Sequence, residues 1–235
     1  MKTVAICRYA PHEGPGYFAT YLSARSIGWS LIKLDEVDIL PSVNDITGLA
    51  MMGGPMSAND DLPWLPGMLA LIRDCVTHDV PVIGHCLGGQ LLAKALGASI
   101  TRNPVKEIGW GGVEVRDTPV AQAWSGCQSF LGFHWHGETF SIPTGAELIW
   151  SSAHCANQAF ALGKHIGMQC HVEMTQDMID VWCETGASEI ERDVSRSPAV
   201  QTREAMHRQV DARLDRLRLV ADHVYDRWAS GLQLR

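Results

Sequence analysis

Pro81-Val82-Ile83-Gly84-His85-Cys86-Leu87-Gly88-Gly89-Gln90 is the stretch whose reading decides the fold. Val82 and Ile83 form a short apolar strand, and Gly84 and Gly88 stand on either side of Cys86. From Leu87 the spacing changes to Leu91, Leu92, Ala95 and Leu96, a helical period that Gly97 stops. Small residues flank a nucleophile where a strand turns sharply into a helix, because a Cβ there would strike the neighbouring strand or helix. Cys86 is therefore predicted at a helix N-terminus, where partial positive charge and unpaired N–H groups favour a thiolate and can bind an oxyanion. A plain structural role as a small buried residue is the alternative, and Cys7, Cys75 and Cys127, which lack this setting, are read that way.

Upstream, residues 4–7 predict a first strand, 17–27 a helix introduced by Gly14-Pro15-Gly16, and 29–34 a second strand. The apolar run 48–52 ends abruptly at Gly53-Gly54-Pro55, as a buried parallel strand does when its C-terminal end opens into a functional loop. A helix over 68–76 leads to the cysteine strand. This alternation implies a parallel sheet with helices on both faces, and ligands of such sheets sit beyond the carboxyl ends of the strands. Both the Gly53-Gly54-Pro55 loop and Cys86 fall there.

Downstream, short runs at 108–115, 129–133, 148–151, 157–161 and 166–169 predict a mixed extension of the same sheet rather than a separate domain. One long helix is predicted over 205–228, with Met206, Val210, Leu214, Leu217, Ala221, Val224 and Trp228 as its buried stripe. The expected fold class is α/β: a single domain over 1–235 with a mostly parallel, mixed central sheet flanked by helices on both faces, a nucleophile-elbow cysteine and a long C-terminal helix. Residues 190–235 are expected to form a helical extension packed on that domain.

A length of 235 residues suits one large α/β domain, and a formal charge of −7 argues against a general nucleic-acid binder. Seven cysteines, an odd number without a CxxC pair, suggest neither a disulfide framework nor a zinc ribbon. A reducing compartment fits better. The apolar N-terminal run is too short for a signal peptide, and no run approaches the ~18 apolar residues of a membrane helix. A cytoplasmic location without membrane contact is expected.

A cysteine nucleophile needs a base, and the base needs an orienting acceptor. In His171-Val172-Glu173, just after the strand at 166–169, alternation places His171 and Glu173 on one side. Cys86, His171 and Glu173 are thus a candidate triad, although the spacing equally admits a satisfied surface histidine. His134-Trp135-His136, joined by His154 and Cys155, could be read as a metal set. No acidic or cysteine partner recurs at ligand spacing, so these histidines are read as structural, with no metal and no cofactor expected. Gly163-Lys164 is no phosphate-binding loop, because Gln158 stands five residues before Gly163.

The chain resembles the class I, triad-type glutamine amidotransferases. Gly84-His85-Cys86-Leu87-Gly88-Gly89-Gln90 matches the family's G-x-C-x-G-x-Q. Gln169-Cys170-His171-Val172-Glu173-Met174-Thr175 resembles its Q-x-H-P-E-x-T, with Val172 in place of the usual proline. Gly53-Gly54-Pro55-Met56-Ser57 resembles its G-G-P-x-S loop, and His136-Gly137-Glu138 falls where relatives carry a His-Gly-Asp turn. Within the family, the chain is most similar to free-standing proteins like the glutaminase domain of GMP synthase.

The resemblance implies that Cys86 attacks the side-chain amide carbon of glutamine, that His171 moves the proton, and that Glu173 orients His171. It implies an oxyanion hole from the N–H groups of Gly54 and Leu87, and substrate contacts from Gly53, Gln90, Gly137 and Glu138. Two readings share this chemistry: a glutaminase that supplies ammonia to a separately encoded synthetase, and a stand-alone hydrolase of γ-glutamyl amines, peptides or conjugates. A non-catalytic binding protein ranks last, because the triad residues are all present. Selectivity beyond the γ-glutamyl group is expected in loops at 102–108 and 126–133. Val172 keeps the extended backbone accessible, so the His171 and Glu173 geometry is expected to survive.

Overall fold

The structure, a computed structural model, describes residues 2–36 and 39–233. Met1 and the last two positions of the predicted 190–235 segment lie outside the described residues.

Among the described residues, one sheet of ten strands organises the fold. Its first half is parallel: β1 (Thr3–Arg8) pairs with β2 (Trp29–Lys33) and β3 (Ile46–Met51), β3 with β4 (Val82–His85), and β4 with β9 (His165–Met168). The sheet continues through β8 (Ala159–Leu162), β7 (Glu147–Ser152), β5 (Ile100–Val115) and β6 (Ser129–Phe140), paired antiparallel in turn. A two-residue strand, β10 (Ala199–Val200), runs parallel to β5 at the far edge.

Strands β3 and β4 are buried on both faces, as their continuous apolar runs require. On one face the core joins Phe18 and Tyr21 of α1 (Gly16–Ala24), Trp124 of α4 (Pro119–Ser125), Trp182 of α5 (Gln176–Thr185) and the last helix. On the other lie Met68 and Ile72 of α2 (Leu65–Thr77) and Leu91 and Leu92 of α3 (Leu87–Ala95). No helix among the described residues is long and apolar enough to cross a membrane. All seven cysteines are free.

Two expectations need correction. The helix predicted over 205–228 is two helices, α7 (Arg203–His207) and α8 (Val210–Ala229), following α6 (Ala187–Asp193). Trp110 Nε1 donates to Met206 O at 2.9 Å, and Arg213 Nη1 donates to Ala205 O at 3.3 Å. Those carbonyls are occupied by side chains, and Gln209 turns into the left-handed region at φ +56°. The stripe residues are nonetheless all buried on their own domain. The second correction concerns 102–108, which is not a loop but part of β5. Its pairing with β6 slips between Arg102 and Glu107, where Pro104 has no N–H to offer the ladder.

Candidate active site

The elbow is built by close approach. A Cβ on Gly84 would overlap the backbone of Gly88, one on Gly88 would overlap Met51 O, and one on Gly89 would overlap Met168 O. Helix α3 is therefore seated directly on β3 and β9. Cys86, between β4 and α3, adopts φ +49°, a strained value for a residue with a side chain, and its N–H donates to Met168 O at 2.8 Å. Cys86 is 7% exposed and lines a cleft of about 1000 Å³.

His171 is held by a β-bridge to Phe133, its N–H donating to Phe133 O at 2.8 Å. Its Nδ1 lies 2.6 Å from Glu173 Oε1, so alternation across Val172 does bring the two side chains together. The ring packs edge-on against Trp182 at 4.8 Å. Among the described residues Nε2 has no hydrogen-bond partner. Burial disfavours a charged imidazole, but Glu173 and the adjacent Cys86 outweigh it and lift the His171 pKa well above the usual value. Burial alone would raise Glu173; His171 and His85 reverse this and hold it at about 2. A proton on His171 is thereby stabilised. Behind the pair, His85 Nε2 lies 3.9 Å from Glu173 Oε2 and 3.2 Å from Tyr225 Oη of α8.

Gly54 and Leu87 line the cleft together with Cys86, Leu87 in the first turn of α3, where backbone N–H groups have no intrahelical partner. Gly54 and Leu87 are neighbours, since a Cβ on Gly54 would sit 2.7 Å from Leu87 Cδ2. Gln90, Gly137 and Glu138 line the cleft. Gln90 Nε2 donates to Gln169 Oε1 at 3.1 Å, and Gln169 Nε2 in turn approaches Cys86 Sγ at 3.5 Å. Ser57 Oγ donates to Glu138 Oε2 at 2.8 Å. Gly53 is placed behind the cleft, between Glu13 and the His171 ring.

Residues 102–106 line the cleft, whereas nothing from 126–133 does. Gly126 instead caps α4 at φ +66°, and the residues after it enter β6. Sequence reasoning missed Glu13, Trp182 and α6, which also line the cleft. Gln169 and Ser57 lay inside quoted motifs, so a signal for them existed.

The acidic partner of His134 and His136 does not stand at ligand spacing along the chain; it comes from the neighbouring strand. Glu107 faces His136 across the β5–β6 pairing, and donor atoms of Glu107, His134 and His136 lie within 4.8 Å of one another. These are the residues that could hold a cation. His136 Nε2 lies 3.0 Å from Glu107 Oε2, off the hydrogen-bond direction, and Gln158 Nε2 donates to Glu107 Oε2 at 2.8 Å. Ser152 Oγ donates to Glu107 Oε1 at 3.0 Å. The cluster is thus knit together by its own hydrogen bonds. Neither His154 nor Cys155 joins it, as Cys155 Sγ turns to Thr139 Oγ1 at 3.4 Å.

The family profile described as "Glutamine amidotransferase class-I" matches residues 19–180. The glutamine amidotransferase-like protein YfeJ of Salmonella typhimurium is 30% identical over 179 residues, 72% of this chain and 74% of that protein. The glutamine-hydrolysing GMP synthase of Bacillus pumilus is 28% identical over 130 residues, 54% of this chain but 24% of that protein. The crystal structure of a glutamine amidotransferase from Methylobacillus flagellatus superposes with a TM-score of 0.96 at 48% identity, covering 99% of this chain and 96% of that one. A matched profile that spans both the elbow and the His171 segment, on a fold shared along its length, shows that this chain belongs to the class-I glutamine amidotransferases.

Proposed function

We propose that the protein hydrolyses the side-chain amide of glutamine through a γ-glutamyl thioester on Cys86. The observation that carries this reading is the strained Cys86 at the mouth of α3, beside a His171 whose Nδ1 is pinned to Glu173 at 2.6 Å. The sulfur attacks the amide carbon while the N–H groups of Gly54 and Leu87 take the developing oxyanion, each such donor being worth roughly 2.7–4 kcal/mol in acyl transfer. The C–N bond then breaks, His171 passes its proton to the departing nitrogen, and ammonia leaves. Water, deprotonated by the now neutral His171, cleaves the thioester. Ammonia then goes to a separately encoded synthetase, and the seven free thiols suit a reducing, cytoplasmic setting.

A second reading, an independent γ-glutamyl hydrolase, is favoured by the cleft itself. About 1000 Å³ is far more than one glutamine side chain fills, and the space continues past Cys86 toward α6. Both readings are tested with glutamine and γ-glutamyl amides, measuring turnover and trapping the thioester by mass spectrometry. Cys86→Ala is expected to lose about 10³-fold or more of the turnover and to form no adduct. Wild-type turnover in Cys86→Ala would overturn the mechanism. Strong stimulation by a partner protein would favour the first reading, and full turnover of a conjugate by the isolated chain the second.

A further inference from the structure

Glu13 lines the cleft but takes no part in the chemistry above. It sits in the turn Pro11-His12-Glu13-Gly14 between β1 and α1, with its side chain 12% exposed. Among the described residues no donor reaches either carboxylate oxygen within hydrogen-bond distance; the nearest basic nitrogen is His12 Nε2, 4.0 Å from Oε1. Glu13 Oε2 and His171 Cε1 converge over Gly53, where a Cβ would lie 2.6 Å from the first and 3.0 Å from the second. The carboxyl therefore stands at the ring edge of the histidine that serves the leaving nitrogen.

The rest of that wall is aromatic. Trp182 Nε1 donates to His12 O at 2.8 Å, which ties the Glu13 turn to α5, and Trp135 packs perpendicular to Trp182 at 5.9 Å. Trp135 Nε1 is engaged by Glu189 Oε2 at 2.8 Å. Both indoles have thus committed their N–H groups elsewhere, and both line the cleft. A carboxyl without a donor is costly to bury, and a cation removes that cost and is attracted by aromatic rings in the same wall. The cleft's cations lie elsewhere: Lys106 is held by Glu189 and Asp193, Arg192 by Asp193, and Arg102 and Arg196 stand exposed at the rim.

We propose that Glu13, with Trp135 and Trp182, forms a leaving-group subsite for γ-glutamyl conjugates whose amine carries a second, cationic nitrogen, such as an alkyl diamine. The inference rests on the thioester reading at Cys86. In that step the S–C bond forms, the C–N bond breaks and His171 protonates the departing nitrogen. Glu13 holds the distal ammonium and exchanges no atoms with it.

The test uses γ-glutamyl amides of three amines of equal chain length: a neutral alkylamine, an alkyl diamine and an ω-amino acid. Wild type is expected to favour the diamine amide over the neutral one by about tenfold or more in kcat/KM, the scale of a charge-assisted hydrogen bond. In Glu13→Gln, which keeps size but cannot ionise beside the ammonium, the ratio is expected to fall to within about twofold. Equal rates for the two amides in wild type, a preference that survives in Glu13→Gln, or a preference for the acid-bearing amide would each overturn the subsite. Turnover retained in Cys86→Ala would sink the thioester reading alone, and the charge ratio would still judge Glu13. Should none of the amides turn over, calorimetric binding to Cys86→Ala and to the Glu13→Gln, Cys86→Ala double variant is judged by the same ratio.

Discussion

In the parallel half of the sheet, β3 and β4 are buried throughout and, Thr47 and His85 apart, hold apolar residues and glycine. In the antiparallel half, β5 and β6 bury Glu107, His134 and His136 against Gln158. The first half fixes Cys86 by backbone contact, because glycines let α3 rest on its strands. The second fixes the 136–138 segment of the cleft by polar satisfaction, His136 standing between Glu107 and Glu138 O, which its Nδ1 meets at 3.0 Å. Error is penalised differently in each: steric overlap in one, an unpaired buried charge in the other.

The largest effect is expected where the polar half is broken. Burial favours the neutral acid at Glu107, but His136 and His134 outweigh it and hold the pKa below the ordinary value, so the residue is an ionised partner inside the fold. Glu107→Ala leaves His136 and Gln158 without that partner and is expected to cost about 3–5 kcal/mol in chemical denaturation. A loss below about 1 kcal/mol would show that water takes over the network and that the contrast between the halves is overstated.

Glu13 belongs to the parallel half yet carries the other half's kind of cost. Desolvation raises it from 4.5 to about 8, against the lowering influence of His171. Between those values the folded chain holds a proton that the unfolded chain has released, so stability falls as pH rises through this window and levels off above it. Glu13→Gln is expected to remove the slope. Near pH 8 it should exceed wild type by on the order of 3 kcal/mol, and near pH 4 the two should unfold together. Parallel stability curves for the two proteins across that range would refute a buried Glu13.

The same division explains what the sequence made legible. Contact between backbones leaves a mark in the sequence, since only glycine tolerates it, and Gly84 and Gly88 mark the elbow. Alternation along one extended segment likewise brought His171 to Glu173. Polar pairing between strands leaves no such mark: Glu107 meets His136 through a slipped register that neither strand's composition reveals. Glu13 lies in a proline- and glycine-rich turn without periodicity, and its neighbour His171 is far along the chain. The break at Gln209 was equally silent, because the groups that occupy the carbonyls of Ala205 and Met206 come from Arg213 and from β5.

The steric half can be probed at Gly88, in the first turn of α3. Its N–H donates to Met52 O at 3.1 Å, so the position is held from the strand side as well as by its own helix. In Gly88→Ala the new methyl meets Met51 O and lies 2.7 Å from Met51 Cβ, and none of these atoms is the free end of a flexible chain. Alanine is the better helix former by roughly 1 kcal/mol, which partly offsets the overlap. Overpacking of this kind costs about 1–3 kcal/mol, so a modest net destabilisation is expected in thermal unfolding. Activity should suffer more than stability: relief of the overlap lifts α3 from β3 and carries the Leu87 N–H and Cys86 away from His171. A Gly88→Ala protein with wild-type turnover would mean that the elbow is not fixed by contact with β3.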